Sequence, residues 1–203
     1  MKTIQYNDEK HDYTIDGKAV PSVTTILSYV TSRHYGDISP AVLQQAARRG
    51  TLVHEATESM DYGFDVEAEP DIAPYLRAYA DFLNTYRPET LFAEWRLHGA
   101  DEEYAGTLDR LYRVNGELWV VDIKTTGSPT RQNYISYCAQ LYAYAKAYDD
   151  DSGEGLPKRF ILFLKKDGKY RLIDVEEYEK KHVINGKLVW ELCLKLWKEC
   201  EGK

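Results

Sequence analysis

Asp109, Asp122 and Lys124 are the residues whose types and spacing could do chemistry together. Asn115-Gly116 separates two runs of strand character, Tyr104 to Val114 and Glu117 to Thr125, and this dipeptide is a strong signal for a two-residue type I′ hairpin turn. With those two residues as the loop, Val114 pairs with Glu117 and Asp109 falls directly opposite Asp122. Strand periodicity of two places the pairs Thr107/Lys124 and Leu111/Val120 on the same face as the aspartates. The other face carries Leu108/Ile123 and Tyr112/Trp119, a core-like set. Opposed side chains have Cβ atoms ~5 Å apart, where like charges destabilise. The repulsion is ~1 kcal/mol in water and ~4 kcal/mol near a protein surface. A divalent cation between the carboxylates offsets it directly, and hard oxygen ligands suit Mg²⁺ or Mn²⁺. Lys124 adds a positive charge beside such an ion. The competing reading is a solvated charge cluster neutralised by Lys124 alone; the apolar Leu111/Val120 flank argues against it.

The elements that must position these groups follow from pattern and punctuation. Residues 1–38 read as an N-terminal hairpin and short helix: Tyr13-Thr14-Ile15 alternates, Asp16-Gly17 turns, Pro21 closes the segment, and Ser22 to Val30 is helical. Ser39-Pro40 opens a stronger helix that runs to about Met60, before Gly63. Asp71 to Tyr86 is a third helix, amphipathic through Leu76, Ala80 and Leu83 and stopped before Pro88. Thr90 to Leu97 precedes the hairpin and completes a three-stranded meander. Ser128-Pro129 caps a long helix reaching Tyr148, and an acidic loop over 149–155 leads to strands Arg159–Lys165 and Tyr170–Val175. Residues 176–203 form a helical tail with a break at Asn185-Gly186. This order predicts one α/β (α+β) domain over 1–203, with an antiparallel meander in its sheet and flanking helices.

Composition bounds the function. The chain has 203 residues, 43% hydrophobic and 29% charged, the profile of an ordinary globular protein. A net charge of −7 excludes tight non-specific nucleic-acid binding by the whole surface, although a local basic channel or bound cations can reverse the potential at one site. The longest apolar run, Phe160 to Leu164, is too short to span a bilayer, so no membrane partner is expected. The first residues lack a secretory apolar core, and three cysteines form no disulfide framework; both point to the cytoplasm.

Five segments, in order, resemble the PD-(D/E)xK nuclease superfamily and within it the RecB-like exonucleases. Gly106-Thr107-Leu108-Asp109-Arg110 is similar to their G-T-x-D segment, Val121 to Thr125 to their D-x-K-T strand, and Gln140 to Tyr144 to their Q-x-x-x-Y helix. Arg49 to Glu55 resembles the G-x-x-x-H helix, and Pro21 to Leu27 the P-S-V-T-x-x-L opening of phage and mitochondrial genome-maintenance exonucleases. Leu108 stands where the superfamily's proline would be. The resemblance covers residues 21 to 144 and implies a restriction-endonuclease-like core with a mixed central sheet.

That resemblance implies a metal-dependent DNA exonuclease of phage or bacterial recombination, repair or DNA processing, acting on DNA with a free end in the cytoplasm, or host cytoplasm if phage-encoded. A recombination or replication partner protein could supply loading. The alternatives are a structure-specific endonuclease on the same core and a catalytically inactive nucleic-acid-binding module. One or two Mg²⁺ or Mn²⁺ ions would be held by Asp109 and Asp122, the Ile123 backbone carbonyl, His54 and Glu94. Lys124 would stabilise transition-state charge and orient or activate water. Gln140 and Tyr144, one helical turn apart, would orient Lys124 or contact the scissile phosphate. Arg48, Arg49 and Arg131 are candidate DNA-phosphate contacts. Gly50, one turn before His54, is expected to let that helix approach the sheet closely. His54 to Glu58 is not a zinc-protease H-E-x-x-H, because position 58 is glutamate, which leaves Glu55 on the helix surface or behind the site. Cys138, Cys193 and Cys200 have spacing unsuited to an iron–sulfur cluster, and no phosphate-binding G-x-x-x-x-G-K-[S/T] is present, so neither a cluster nor ATP is expected.

Overall fold

The computed structural model describes residues 3–7, 12–31, 39–101 and 103–201. The end of the expected N-terminal segment, 32–38, lies outside them. In chain order the elements are β1 (Ile4–Asn7), β2 (Asp12–Ile15), β3 (Lys18–Val20), α1 (Val23–Ile26), α2 (Ser28–Thr31), α3 (Pro40–Asp61), α4 (Ala73–Tyr86), β4 (Glu89–His98), β5 (Ala105–Val114), β6 (Glu117–Lys124), α5 (Arg131–Ser152), β7 (Lys158–Leu164), β8 (Tyr170–Asp174), α6 (Val175–His182) and α7 (Gly186–Cys200).

Local chemistry sets most boundaries. Ser39 caps α3 by accepting from the Val42 amide, with Pro40 in the first turn. Asn115 (φ 50°) and Gly116 (φ 85°) both adopt the left-handed conformation that a type I′ turn requires. Two expectations need correction. The cap of α5 is Thr130, not Ser128-Pro129: its side chain accepts from the Asn133 amide and the Asn133 side chain returns the bond, a reciprocal box. The helix then continues through Asp149–Ser152 to Gly153 (φ 69°), so the first half of the expected acidic loop is its last turn. The N-terminal hairpin is also wider than expected, because β1 adds a third strand to β2 and β3.

The main sheet has the order β4-β5-β6-β7-β8, antiparallel except for the parallel pair β6/β7. A parallel pair needs a long crossover, and α5 supplies it. One face is covered by α5, α1 and α7 over Leu111, Val120, Ile161 and Phe163. The opposite face is covered by α3 and α4, whose Val53, Tyr79 and Phe82 pack on Tyr112, Val121, Ile123 and Leu162. Each fully buried aliphatic or aromatic side chain contributes ~1.5–3 kcal/mol, so these two cores hold the sheet rigid between helical layers. This is the mixed sheet flanked by helices of the restriction-endonuclease-like core. The small sheet docks on the start of β5, where Ala105 donates to the Pro21 carbonyl and Tyr13 bonds Thr107 at 2.8 Å.

Candidate active site

The site lies where β5 and β6 part. Their paired residues run from Val114↔Glu117 to Arg110↔Val121, the register that the Asn115-Gly116 turn dictates. At the next position a side chain takes over from the ladder: Asp109 Oδ2 accepts from the Ile123 amide at 2.6 Å. On the neighbouring strand Glu94 has φ 46°, a left-handed backbone inside a β-strand. Such a conformation costs ~1–3 kcal/mol and persists only where its surroundings enforce it. It also breaks the alternation of side chains. Phe92 and Trp95, three residues apart, stack with ring centroids 4.4 Å apart, while the Glu94 carboxylate turns toward α3. The expected face assignment of β5 also needs correction. Leu108 packs with Leu111 and Val120, on the α5 side, and not with Ile123, which lies among Tyr112 and Val121 on the α4 side.

His54 enters from α3 into this break. Its Nδ1 lies 3.1 Å from Glu94 Oε1 and 3.8 Å from Asp109 Oδ1, and its Nε2 lies 3.2 Å from the Ile123 carbonyl. Burial opposes a charged imidazole, but Asp109 and Glu94 outweigh it and lift His54 to about 9. The imidazolium thus donates to Glu94 Oε1 and to the Ile123 carbonyl. One atom each from His54, Glu94 and Asp109 falls within 4.8 Å of the others, the spread of a ligand set.

Asp122 and Lys124 complete the cluster. Lys124 Nζ donates to Asp122 Oδ1 at 2.8 Å and stands 5.0 Å from the Tyr137 ring centroid. Burial would discharge this lysine, yet Asp122 and Asp109 hold it above the ordinary lysine value, so it is an ammonium. Burial raises Asp122 to about 6, with Asp109 adding to the rise and Lys124 opposing it. Asp122 Oδ2 is buried without a hydrogen-bond partner. An orphaned carboxylate oxygen in a buried aspartate demands a cation or a proton. The donor chemistry therefore fits a hard or borderline divalent ion.

Behind the cluster runs a buried network that spacing alone did not reveal. The side chains of Arg110 and Asp61 are fully buried and ion-paired through Nε. Arg110 Nη1 donates to Glu94 Oε1 at 2.9 Å and to the Asp109 carbonyl at 2.6 Å, and Nη2 donates to Thr57 Oγ1 at 2.9 Å and the His54 carbonyl at 3.4 Å. Asp61 in turn accepts from the Tyr79 and Tyr112 hydroxyls at 2.8 and 3.1 Å. One guanidinium thereby touches all three residues of the prospective ligand set. The available signal was an arginine between Leu108 and Tyr112, two residues buried in the cores: a charge there needs a buried carboxylate.

The other candidate residues are placed as follows. Gln140 Nε2 donates to the Tyr144 hydroxyl at 3.2 Å, and Tyr144 is buried; the groups that flank Lys124 are Asp122 and Tyr137. A Cβ on Gly106 would sit 2.6 Å from Tyr144 Cε1, so this glycine admits the ring. Gly50 has no such role: nothing lies within 4 Å of a Cβ there. Glu55 is exposed on α3. Arg48 and Arg49 line a cavity of about 280 Å³ with Tyr75 and Lys166, the Arg49 guanidinium standing 5.8 Å from the Tyr75 ring centroid. Arg131 donates to the His182 carbonyl at 3.0 Å, tying α5 to α6. Among the described residues, no helix is long and apolar enough to cross a membrane.

A family model described as the PD-(D/E)XK nuclease superfamily matches residues 33–196. A search among curated proteins gives no match. Among solved structures, LHK-Exo in complex with dAMP is similar at 12% identity and a TM-score of 0.36, over 89% of this chain and 92% of that one. The structure of SSO0001 is similar at 16% identity and a TM-score of 0.30, over 84% of each chain.

Proposed function

The chain belongs to the PD-(D/E)XK nuclease superfamily and is a metal-dependent nuclease, and from that membership and the geometry of its site we propose that it is a RecB-like DNA exonuclease. Its substrate is DNA with a free end, and its setting is recombination, repair or DNA processing in the cytoplasm of a bacterium or a phage host. A partner protein would serve for loading. One observation carries the reading: Asp122 is engaged by Lys124 through one oxygen and keeps the other buried and unpartnered, while it interacts electrostatically with Asp109 and His54 of the His54–Glu94–Asp109 group.

Asp109, Asp122 and His54 would hold Mg²⁺ or Mn²⁺, with Glu94 and the Ile123 carbonyl as further ligands. An ion held there would supply a water of lowered pKa and would neutralise charge on the phosphoryl oxygens. For that, His54 must be neutral, with one ring nitrogen free of its proton, and Asp122 must stay ionised. Lys124, held as an ammonium against Asp122 and the Tyr137 ring, would donate to a phosphoryl oxygen as charge develops. Hydrolysis joins the water oxygen to phosphorus, breaks the bond to the leaving ribose oxygen, and returns a proton to that oxygen. Gln140 supports Tyr144 against Gly106 and so fixes the wall beside Asp109. Arg48 and Arg49 would contact phosphates further along the strand.

The test compares end-labelled linear DNA with covalently closed circles in Mg²⁺, Mn²⁺ or EDTA, alongside Lys124→Ala. Loss of linear DNA only, abolished by EDTA, is expected. Lys124→Ala should keep Mn²⁺ binding and lose ~10²–10³-fold in turnover, the scale for removing one transition-state donor. Cutting of circles would make the protein an endonuclease. Binding with no metal-dependent cleavage, by folded protein, would make it an inactive nucleic-acid module and end the enzymatic reading.

A further inference from the structure

We infer that α7 is a self-association surface through which two copies of this chain pair by antiparallel packing of their α7 helices about a two-fold axis. The helix is anchored on its inner side. Gly186, Trp190 and Cys193 are buried, and a Cβ on Gly186 would meet the Cys138 backbone at 2.6 Å, so α7 lies tight against α5. Its outer side is apolar. Leu188, Leu192 and Leu196 are 49%, 58% and 46% exposed. Exposed leucines scattered singly need no explanation, but these recur every four residues and form one continuous ridge.

The neighbouring ridge says what covers them. It consists of Lys187, Glu191, Lys195 and Glu199, all exposed, with sign alternating at each turn. When two identical helices meet about a two-fold axis perpendicular to both, each flank meets the same flank of the other helix with its direction reversed. With the axis close to Leu192, the Leu192 side chains meet each other and Leu188 meets Leu196 of the second copy. Along the charged flank Glu191, which already pairs with Lys187 of its own helix at 3.8 Å, then faces Lys195 of the second copy, and by symmetry the contact is made twice. Parallel packing instead brings the charged ridge against the other flank of the second helix, where Val189, Cys193 and Trp197 are turned toward the protein. A contact restricted to one helix from each copy belongs to the small class of interface, under about 1,200 Å², so the pair is weak and concentration-dependent. None of these residues belongs to the candidate active site, and the inference stands apart from the nuclease reading.

Sedimentation of the full chain from micromolar to sub-millimolar concentration tests this. A monomer–dimer equilibrium is expected. Leu192→Glu should weaken it at least tenfold, about 1.4 kcal/mol. Glu191→Lys should weaken it as well, and the swap Glu191→Lys/Lys195→Glu should restore it. All three positions are exposed, so the fold survives, as circular dichroism would verify. In a Cys200→Ser background, Leu192→Cys should oxidise to a covalent dimer across the axis. A strictly monomeric wild type, a dimer indifferent to Leu192→Glu, a closed assembly of three or more copies, or wild-type cross-linking through Cys200 would each overturn the inference.

Discussion

Arg110→Met tests the network behind the site and the reasoning that links it to the metal ligands. The arginine is fully buried, as is its Asp61 partner, so solvent does not screen the pair. Methionine keeps the length of the stem and removes the charge. Asp61 keeps its tyrosine hydroxyls but loses its counter-ion, while Thr57 and the carbonyls of Asp109 and His54 lose a donor. Breaking a buried pair from one side costs about 3–5 kcal/mol. The share from Glu94 is smaller than that from Asp61, because the Glu94 side chain is 28% exposed. Against a total stability of about 5–15 kcal/mol the protein stays folded in most of that range, with a melting temperature lower by about 6–20 °C. Asp61→Asn keeps the shape and should cost less, about 1.5–3 kcal/mol. The double variant should cost less than the sum of the two by at least about 1 kcal/mol, because it leaves neither charge stranded. Urea unfolding followed by tryptophan fluorescence in metal-free buffer measures all three. Calorimetric titration of folded Arg110→Met with Mn²⁺ should show an affinity loss of about 10–100-fold, since Glu94, Asp109 and His54 all lose a supporting contact. A stability change under about 1 kcal/mol, strict additivity, or undiminished Mn²⁺ affinity would refute the argument.

Two further outcomes follow from the same geometry. Gly106→Ala drives a Cβ to 2.6 Å from the buried Tyr144 ring and should destabilise by about 1–3 kcal/mol in thermal melts, with partial recovery in Gly106→Ala/Tyr144→Leu; an unaltered melting temperature would contradict the close approach. Proton linkage gives a second. His54 titrates at about 9 in the folded protein, above its ordinary 6.5, so its contribution to metal-free stability is full below pH 6.5 and lost as pH rises through 9. Asp122, raised to about 6, favours its protonated form, and that contribution is lost as pH climbs from about 4 through 6. Metal binding needs neutral His54 and ionised Asp122, so the rise in melting temperature on adding Mn²⁺ should grow from pH 6 to pH 9, and His54→Gln should flatten the upper part of that trend. An increment independent of pH would show that neither group exchanges its proton for the ion.

What was legible in the sequence was local. Asn115-Gly116 dictates a turn, and the turn dictates the pairing from Val114 to Arg110; Ser39-Pro40 marks the start of α3. What was not legible depended on parts of the chain far apart in sequence. The alternation rule assigns Leu108 to the face of Ile123, yet Leu108 packs with Leu111 and Val120, a break in alternation within β5 that no propensity announces. Asp61 ends one helix and Arg110 sits in a strand forty-nine residues later, so only tertiary packing pairs them. Gly50 illustrates the opposite error: a glycine near a candidate ligand suggests a close approach, but its α-carbon faces open space. Gly106, in the strand itself, is where that approach occurs.

The parting of β5 and β6 has a mechanical consequence. His54 belongs to the layer of α3 and α4, whereas Tyr137 and Tyr144 belong to the layer of α5, and the two layers pack on opposite faces of the strands between them. An ion held by Asp109, Asp122 and His54 would clip α3 to the two strands, so that this helix could not lift from the sheet without releasing the ion.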